Sequence, residues 1–285
     1  MRNQCTDQPP KCRSSSGKRP MSDPFAGQPF LVTGAASGIG LAVARHLARR
    51  GARLALWDRD ADGLEAAARE LQPVITRAGD VSLADVVVRN MQHTLESLGG
   101  LRGVIHSAGI LRTGRFMELP LSAHHDLIHV NLIGTVNVAY AALPALRASG
   151  GSLIMLGSVS GLYGGPEYAT YGATKAAINN LAQALRIELE ADGVHVGVAN
   201  PLFVDSPMFH QPRQPRLARV KSPLTKIYST AAVAEAVLDG IEARRPLIWV
   251  GGRSRLIYLL SRYGAFAAHS LMRRSWRSAE DEPLG

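Results

Sequence analysis

From Phe30 onward, short β-branched or apolar runs alternate with longer amphipathic ones. Phe30–Thr33 reads as a strand and Ile39–Arg50 as a helix stopped by Gly51; Arg53–Trp57 follows as a strand and Asp62–Leu71 as a helix closed by Pro73. Further strands are expected over Val74–Arg77, Leu101–His106, Gly151–Leu156, His195–Ala199 and Leu247–Val250, with helices over 83–98, 121–148, 168–191 and 230–243. Strands and helices in strict alternation predict an α/β fold: a doubly wound parallel sheet with right-handed crossovers and helices on both faces. No linker-like break divides 27–252, so this stretch is expected to form one domain. Residues 1–26, rich in Pro, Ser, Gln and basic groups, read as a disordered basic leader, and 253–285 as a C-terminal amphipathic helix and tail.

Charge changes that picture only at the ends. The 285 residues carry 32 basic and 23 acidic side chains, a net +9, which by itself would suggest a nucleic-acid binder. The excess is uneven: +4 over residues 1–20, −2 over 21–205 and +7 over 206–285. A near-neutral body with basic ends argues against a nucleic-acid-binding core. The 2 cysteines, Cys5 and Cys12, both lie in the leader, so no disulfide framework or cysteine zinc site is expected and a reducing, cytoplasmic setting suits the chain.

Thr33-Gly34-Ala35-Ala36-Ser37-Gly38-Ile39-Gly40 joins the first strand to the first helix. Glycines there let the backbone turn sharply and approach a pyrophosphate, which the free N–H groups of the helix N-terminus then hold. Asp58, at the end of the second strand and 18 residues beyond Gly40, is placed to accept hydrogen bonds from an adenosine ribose and to repel a 2′-phosphate. NAD is therefore the expected cofactor, with NADP the alternative because Arg59 stands beside Asp58. Asp80-Val81, after the third strand, is a candidate adenine contact. These features predict a Rossmann-like nucleotide site.

Tyr171-Gly172-Ala173-Thr174-Lys175 places a phenol and an ammonium one helical turn apart on one face. A neighbouring cation favours the phenolate, which makes the phenol a usable proton donor or acceptor nearer neutral pH. Ser158 lies 13 residues earlier, just past the fifth strand, where ligands bind in such sheets. Tyr168 is a rival to Tyr171, but four residues on it meets Gly172 rather than Lys.

With these parts in order behind the glycine loop, residues 28–250 resemble a short-chain dehydrogenase/reductase. The family's Thr-Gly-x-x-x-Gly-x-Gly matches Thr33 to Gly40, its catalytic Ser, Tyr and Lys match Ser158, Tyr171 and Lys175, and its helix Asn matches Asn131. The resemblance implies hydride transfer between a nicotinamide and an alcohol or ketone carbon. It assigns the proton to Tyr171, the substrate oxygen to Ser158, a lowered tyrosine pKa and the nicotinamide ribose to Lys175, and a proton path to Asn131. Homodimers or homotetramers built on helices 121–148 and 168–191 are implied as well.

The chain departs from the family pattern in three places. Asn-Asn-Ala-Gly becomes His106-Ser107-Ala108-Gly109, with Ser107 shorter than Asn, which puts cofactor affinity or local stability in question. Pro-Gly becomes Pro201-Leu202, losing easy access to positive φ on the nicotinamide side. Ser206 replaces a carboxamide-binding Thr, while Val204 keeps the position between. None of these removes a catalytic group, so an active enzyme is expected, with a nucleotide-sensing or scaffolding protein as the alternative. His124, His125 and His129 lack a zinc-binding His-Glu-x-x-His pattern and read as surface histidines.

Two basic segments complete the reading. Residues 207–229 hold Arg213, Arg216, Arg219, Lys221 and Lys226, no acid and four prolines. By resemblance they form the substrate loop, read as a solvated lid, with an anchor for an acidic substrate as the alternative. In 253–277, Leu256, Ile257, Leu259, Leu260, Tyr263, Phe266, Ala267, Leu271 and Met272 recur near helical spacing among Arg253, Arg255, Arg262, Arg273, Arg274 and Arg277. The run is too short to span a bilayer, so it is expected either to lie on a membrane surface or to pack on protein. With the acid-free loop, it suggests a hydrophobic alcohol or ketone, such as a steroid-, retinoid- or long-chain-like molecule.

Overall fold

The computed structural model describes residues 23–210 and 226–264, together with Ser270, Arg273, Arg274 and Trp276. Cys5, Cys12, most of the predicted leader, Arg213, Arg216, Arg219, Lys221, Phe266, Ala267, Leu271, Met272 and Arg277 lie outside the described residues.

Strands β1 (Pro29–Thr33), β2 (Arg53–Asp58), β3 (Ile75–Ala78), β4 (Gly103–His106), β5 (Ser152–Leu156) and β6 (His195–Asn200) are interleaved with helices α1 (Gly38–Arg49), α2 (Ala61–Leu71), α3 (Ala84–Leu98), α4 (Leu121–Leu127), α5 (Gly134–Ser149) and α6 (Ala169–Glu188). Two short strands follow, β7 (Phe203–Asp205) and β8 (Ile227–Ser229), then α7 (Thr230–Glu242), β9 (Leu247–Trp249) and α8 (Gly251–Tyr263). Seven strands pair in the order β3-β2-β1-β4-β5-β6-β9, all parallel. The doubly wound parallel sheet expected from the alternation is what forms.

Side-chain alternation along each strand feeds two cores, because successive residues face opposite sides of a sheet. Phe30, Val32, Leu54, Leu56, Ile105 and Ile154 point to the face covered by α1 and α7. Leu31, Ala55, Trp57, Val104, Leu153 and Met155 point to the other, under α3, α5 and α6. Trp57 is fully enclosed and its Nε1–H donates to Thr94 Oγ1 at 3.0 Å, so the indole is buried without an unpaired donor.

Strand order reverses between β1 and β4, and a crevice opens past their carboxyl ends, where doubly wound sheets bind ligands.

Three details differ from the sequence reading. The helix predicted over 121–148 contains a π-helical segment, Ile128–Ile133, between α4 and α5. That stretch, 121–149, is long and apolar enough by composition to cross a membrane, and one side of it packs against α3, α6 and the sheet. The β7–β8 ladder, Phe203 opposite Ile227, was not expected, since three-residue strands carry no periodicity. Phe25, expected in the leader, is only 2 % exposed, stacked on Phe30 and under the Arg50 guanidinium. The folded body therefore starts by Asp23, which pairs with Arg50 at 2.6 Å.

Candidate active site

A cavity of about 540 Å³ runs from Asp58 and Asp80 at one end to α8 at the other. Its floor is the β1–α1 turn. A Cβ on Gly34 (φ +66°) would lie 2.7 Å from Ala108 N, and one on Gly40 would run into the Gly34 carbonyl, so both close approaches require glycine. Ser37 precedes α1 without capping it, and the first turn holds no acid, which leaves that N-terminus free for an anion. Ser37, Gly38 and Ile39 line the cavity. This cradle fits a dinucleotide pyrophosphate.

Asp58 is pinned rather than mobile: Oδ2 accepts from Ala36 N–H at 2.9 Å and Oδ1 from Asp60 N–H at 3.0 Å. Arg59 lines the same end. Asp80 accepts from Ser82 N–H at 2.8 Å, and Asn137 of α5 donates to the carbonyls of Val81 and Ser82, so a helix residue sets that turn.

At the carboxyl end of β4, Thr33 Oγ1 accepts from Ala108 N–H at 3.2 Å and lies 2.9 Å from His106 Nδ1. Ser107, Ala108 and Gly109 line the cavity, while His106 is buried behind them. His106 Nε2 has no partner among the described residues. Burial, and then the Lys175 cation, push the imidazole down to about 3, so it is neutral.

Asn131 sits fully buried inside the π-helical segment. Its Oδ1 accepts from Ile110 N–H at 2.8 Å, and its Nδ2 donates to Ile110 O at 3.0 Å and to Thr174 Oγ1 at 3.3 Å. The side chain thus ties the loop after β4 to α6. The wider π turn, a shape that recurs at functional sites, carries it there.

The structure brings Ser158, Tyr171 and Lys175 together from β5 and α6. Ser158 caps a short 3-10 turn, Val159–Gly161, its Oγ accepting from Ser160 N–H at 3.1 Å, and it lines the same cavity as Tyr171. Lys175 is buried and its Nζ donates to Leu156 O at 2.7 Å, 5.8 Å from the Tyr171 ring. Burial lowers the lysine to about 8. Contrary to the expected lowering by Lys175, burial pushes Tyr171 up to about 12, opposed only by the nearby Ser158 hydroxyl. The ammonium is turned to a carbonyl rather than to the phenol. Tyr168, the rival, is buried and pushed up further by its own burial.

Two residues that sequence reasoning missed hold this group in place. Asn200 Oδ1 accepts from Ser158 N–H at 3.0 Å, and Asn200 Nδ2 donates to Asn179 Oδ1 at 3.0 Å. Asn179 Nδ2 donates to Lys175 O at 2.9 Å. No sequence pattern pairs an Asn at a strand end with one on a helix. Pro201, Val204 and Ser206 line the cavity as expected, with the Ser206 hydroxyl donating to Val204 O at 3.3 Å. Leu202 has no positive φ, so the turn forms without the glycine whose loss was noted.

Beyond Ser158 and Tyr171 the wall is largely apolar: Ile110, Leu111, Val159, Phe203, Met208 and Phe209, with Ile257 and Leu260 reaching in from α8. His124 is not a surface residue: it is buried, with its ring nitrogens 2.7 Å from Thr170 Oγ1 and 3.0 Å from Phe116 O. Among the described residues no cluster of His, Cys, Asp or Glu could hold a metal.

A family model described as short chain dehydrogenase matches residues 28–217. An uncharacterized oxidoreductase of Staphylococcus epidermidis is 36% identical over 180 residues, 62% of this chain and 78% of the relative. A 3-dehydrosphinganine reductase of Arabidopsis thaliana is 31% identical over 236 residues, 79% of this chain and 70% of the relative. An L-fucose dehydrogenase of Mus musculus is 31% identical over 188 residues, 66% and 69% of the two chains. In fold, a short-chain type dehydrogenase/reductase from Mycobacterium ulcerans superposes with a TM-score of 0.74 at 24% identity, covering 87% of this chain and 98% of that one.

Proposed function

The chain belongs to the short-chain dehydrogenase/reductase family, and from that premise we propose that it is an NAD(H)-preferring oxidoreductase that interconverts a hydrophobic secondary alcohol and its ketone. The observation that carries this reading is the meeting of Ser158, Tyr171 and buried Lys175 in one cavity, at the end of a glycine-floored crevice.

A nicotinamide dinucleotide, which the family generally uses, supplies or accepts the hydride when bound. Gly34, Ser37, Gly38, Ile39 and Gly40 would hold its pyrophosphate, and Asp58 its adenosine ribose. Asp80 and Val81 would flank the adenine; Ser107, Ala108, Gly109, Pro201, Val204 and Ser206 would face the nicotinamide half. A carboxylate already fixed by two N–H groups cannot swing away from a 2′-phosphate, which supports NAD over NADP.

Ser158 Oγ holds the substrate oxygen by a hydrogen bond. Tyr171 Oη takes the hydroxyl proton during oxidation and returns one to the carbonyl oxygen during reduction. With its phenol at about 12, Tyr171 needs a nearby cation to do so at neutral pH. Lys175 is on the same helix face and supplies that charge if its Nζ leaves the Leu156 carbonyl for a ribose hydroxyl. Asn131 keeps the loop wall aligned and opens a path for the proton toward solvent.

The apolar wall past Ser158 supports a substrate with an apolar body, which would bury its surface against Leu111, Phe203, Met208 and Phe209. The relatives' names cover both a reductase and a dehydrogenase, consistent with either direction. Exposed Ile133, Val136 and Tyr140 on one side of the 121–149 helix support pairing with a second copy.

The test is a panel of apolar alcohols and ketones assayed with NAD and with NADP. Tyr171→Phe should lose roughly 10²–10⁴-fold in turnover while nucleotide binding, read by fluorescence, persists. Unchanged turnover in that variant would sink the mechanism. Activity with NADP alone would sink the role of Asp58.

A further inference from the structure

Helix α8 is oriented the opposite way to an ordinary surface helix. Its inner face is made by Ser254, which is fully buried with its hydroxyl donating to Val250 O at 3.0 Å, by Ile257 in the cavity wall, and by Tyr258 stacked 5.1 Å from Trp249. Its outer face carries Leu256, Leu259, Leu260 and Tyr263, which are 48%, 40%, 40% and 83% exposed. These four stand at i, i+3, i+4 and i+7, one continuous stripe along the helix. A surface helix normally turns polar groups outward, so a leucine stripe facing away from the protein calls for a cover.

The charge around the stripe identifies the cover. At 100° per residue, Arg253 falls to one side of it and Arg255 and Arg262 to the other, and all three are exposed. The whole stretch 243–279 contains eight arginines and no acid. A second copy docking through this face by two-fold symmetry would set like charges against each other without a countercharge. An anionic lipid surface offers apolar depth for the leucines and phosphates for the flanking arginines.

We propose that α8 is a docking surface for anionic bilayers, lying in the interface with its leucine stripe down. Leu260 belongs to both the exposed stripe and the cavity wall, so the docked face is continuous with the site. An apolar substrate dissolved in the bilayer would reach Ser158 and Tyr171 along that side. The delivery route rests on the reaction proposed above; the docking does not, so the vesicle measurement below and the turnover assay fail separately.

The full-length chain is sedimented with vesicles of phosphatidylcholine alone and of equimolar phosphatidylcholine and phosphatidylglycerol. It should pellet with the second and not the first, and be released by salt. Leu256→Glu with Leu259→Glu should abolish pelleting. Arg255→Glu with Arg262→Glu should weaken partitioning by about fivefold or more per arginine. None of these four residues lines the cavity, so nucleotide binding and the thermal transition serve as folding controls; if the leucine pair fails them, the arginine pair decides. A wild-type chain that stays in solution with anionic vesicles overturns the proposal, as do variants that pellet like wild type. So does sedimentation velocity in which the leucine variants lower the oligomeric state, since the stripe would then belong to a second copy.

Discussion

At the end of β4, His106 is enclosed beside Lys175 and held near 3, whereas in the unfolded chain it would titrate near 6.5. Between those two values the unfolded state binds the proton and the folded state does not, so stability rises with pH across the window. The contribution is complete above 6.5 and is lost as pH falls, by on the order of 1.4 kcal/mol per pH unit. His106→Asn should flatten that loss. Thermal melts from neutral pH down to about pH 4 will show it as a shallower decline in Tm; parallel declines in both proteins would refute the assignment. The sequence marked His106 as a departure from the family pattern, but only its burial shows the consequence. The same holds for Tyr171 and Lys175. Their spacing put them on one helix face, yet the direction of each pKa follows from desolvation, which spacing does not encode.

At the scale of elements, the site is assembled by helices that reach across to strand ends. Asn131 rides on a π-helical turn, Asn137 fixes the Asp80 turn, and the Asn179–Asn200 pair ties α6 to β5 and β6. Asn200→Ala would leave Ser158 N–H and Asn179 Oδ1 buried without partners, at about 1–3 kcal/mol for each orphaned group. We expect a lower urea midpoint and a fall in kcat larger than any change in nucleotide affinity, because the Ser158 backbone loses its anchor. A variant with wild-type kcat would show that Ser158 is held by other contacts. Helices and long strands were legible in the sequence because their periodicity repeats over several turns or pleats. The π segment was not, since a single widened turn is too short to set a period of its own. Nor was β7–β8, three residues on each side of a proline-rich stretch.

Across the whole molecule, one sheet carries two cores, and Asp23 and Phe25 are fastened through Arg50 to the chain's later half. Arg50 at the end of α1 bonds both Asp23 and Glu242 of α7, with its guanidinium over Phe25. Phe25→Ala removes a buried ring from that junction and should cost about 3 kcal/mol. Urea unfolding is the check; a loss well under 1 kcal/mol would restore these residues to a leader. The charge reading also changes at this scale. The near-neutral body surrounds the cavity, whereas α8, which reaches its apolar wall, carries Arg253, Arg255 and Arg262 and no acid.

By itself, the sequence determined the parallel α/β architecture, the glycine turn and the Tyr-x-x-x-Lys face, because each is a short-range pattern read against a regular backbone period. Only the tertiary structure decided how those parts behave. Burial sets the protonation of His106, Lys175 and Tyr171, while Asn200 and Asn179 meet across 21 residues to hold Ser158. The packing of α8 turns its leucines outward and not into the core. All three depend on which distant surfaces come together, and a linear pattern carries no record of that.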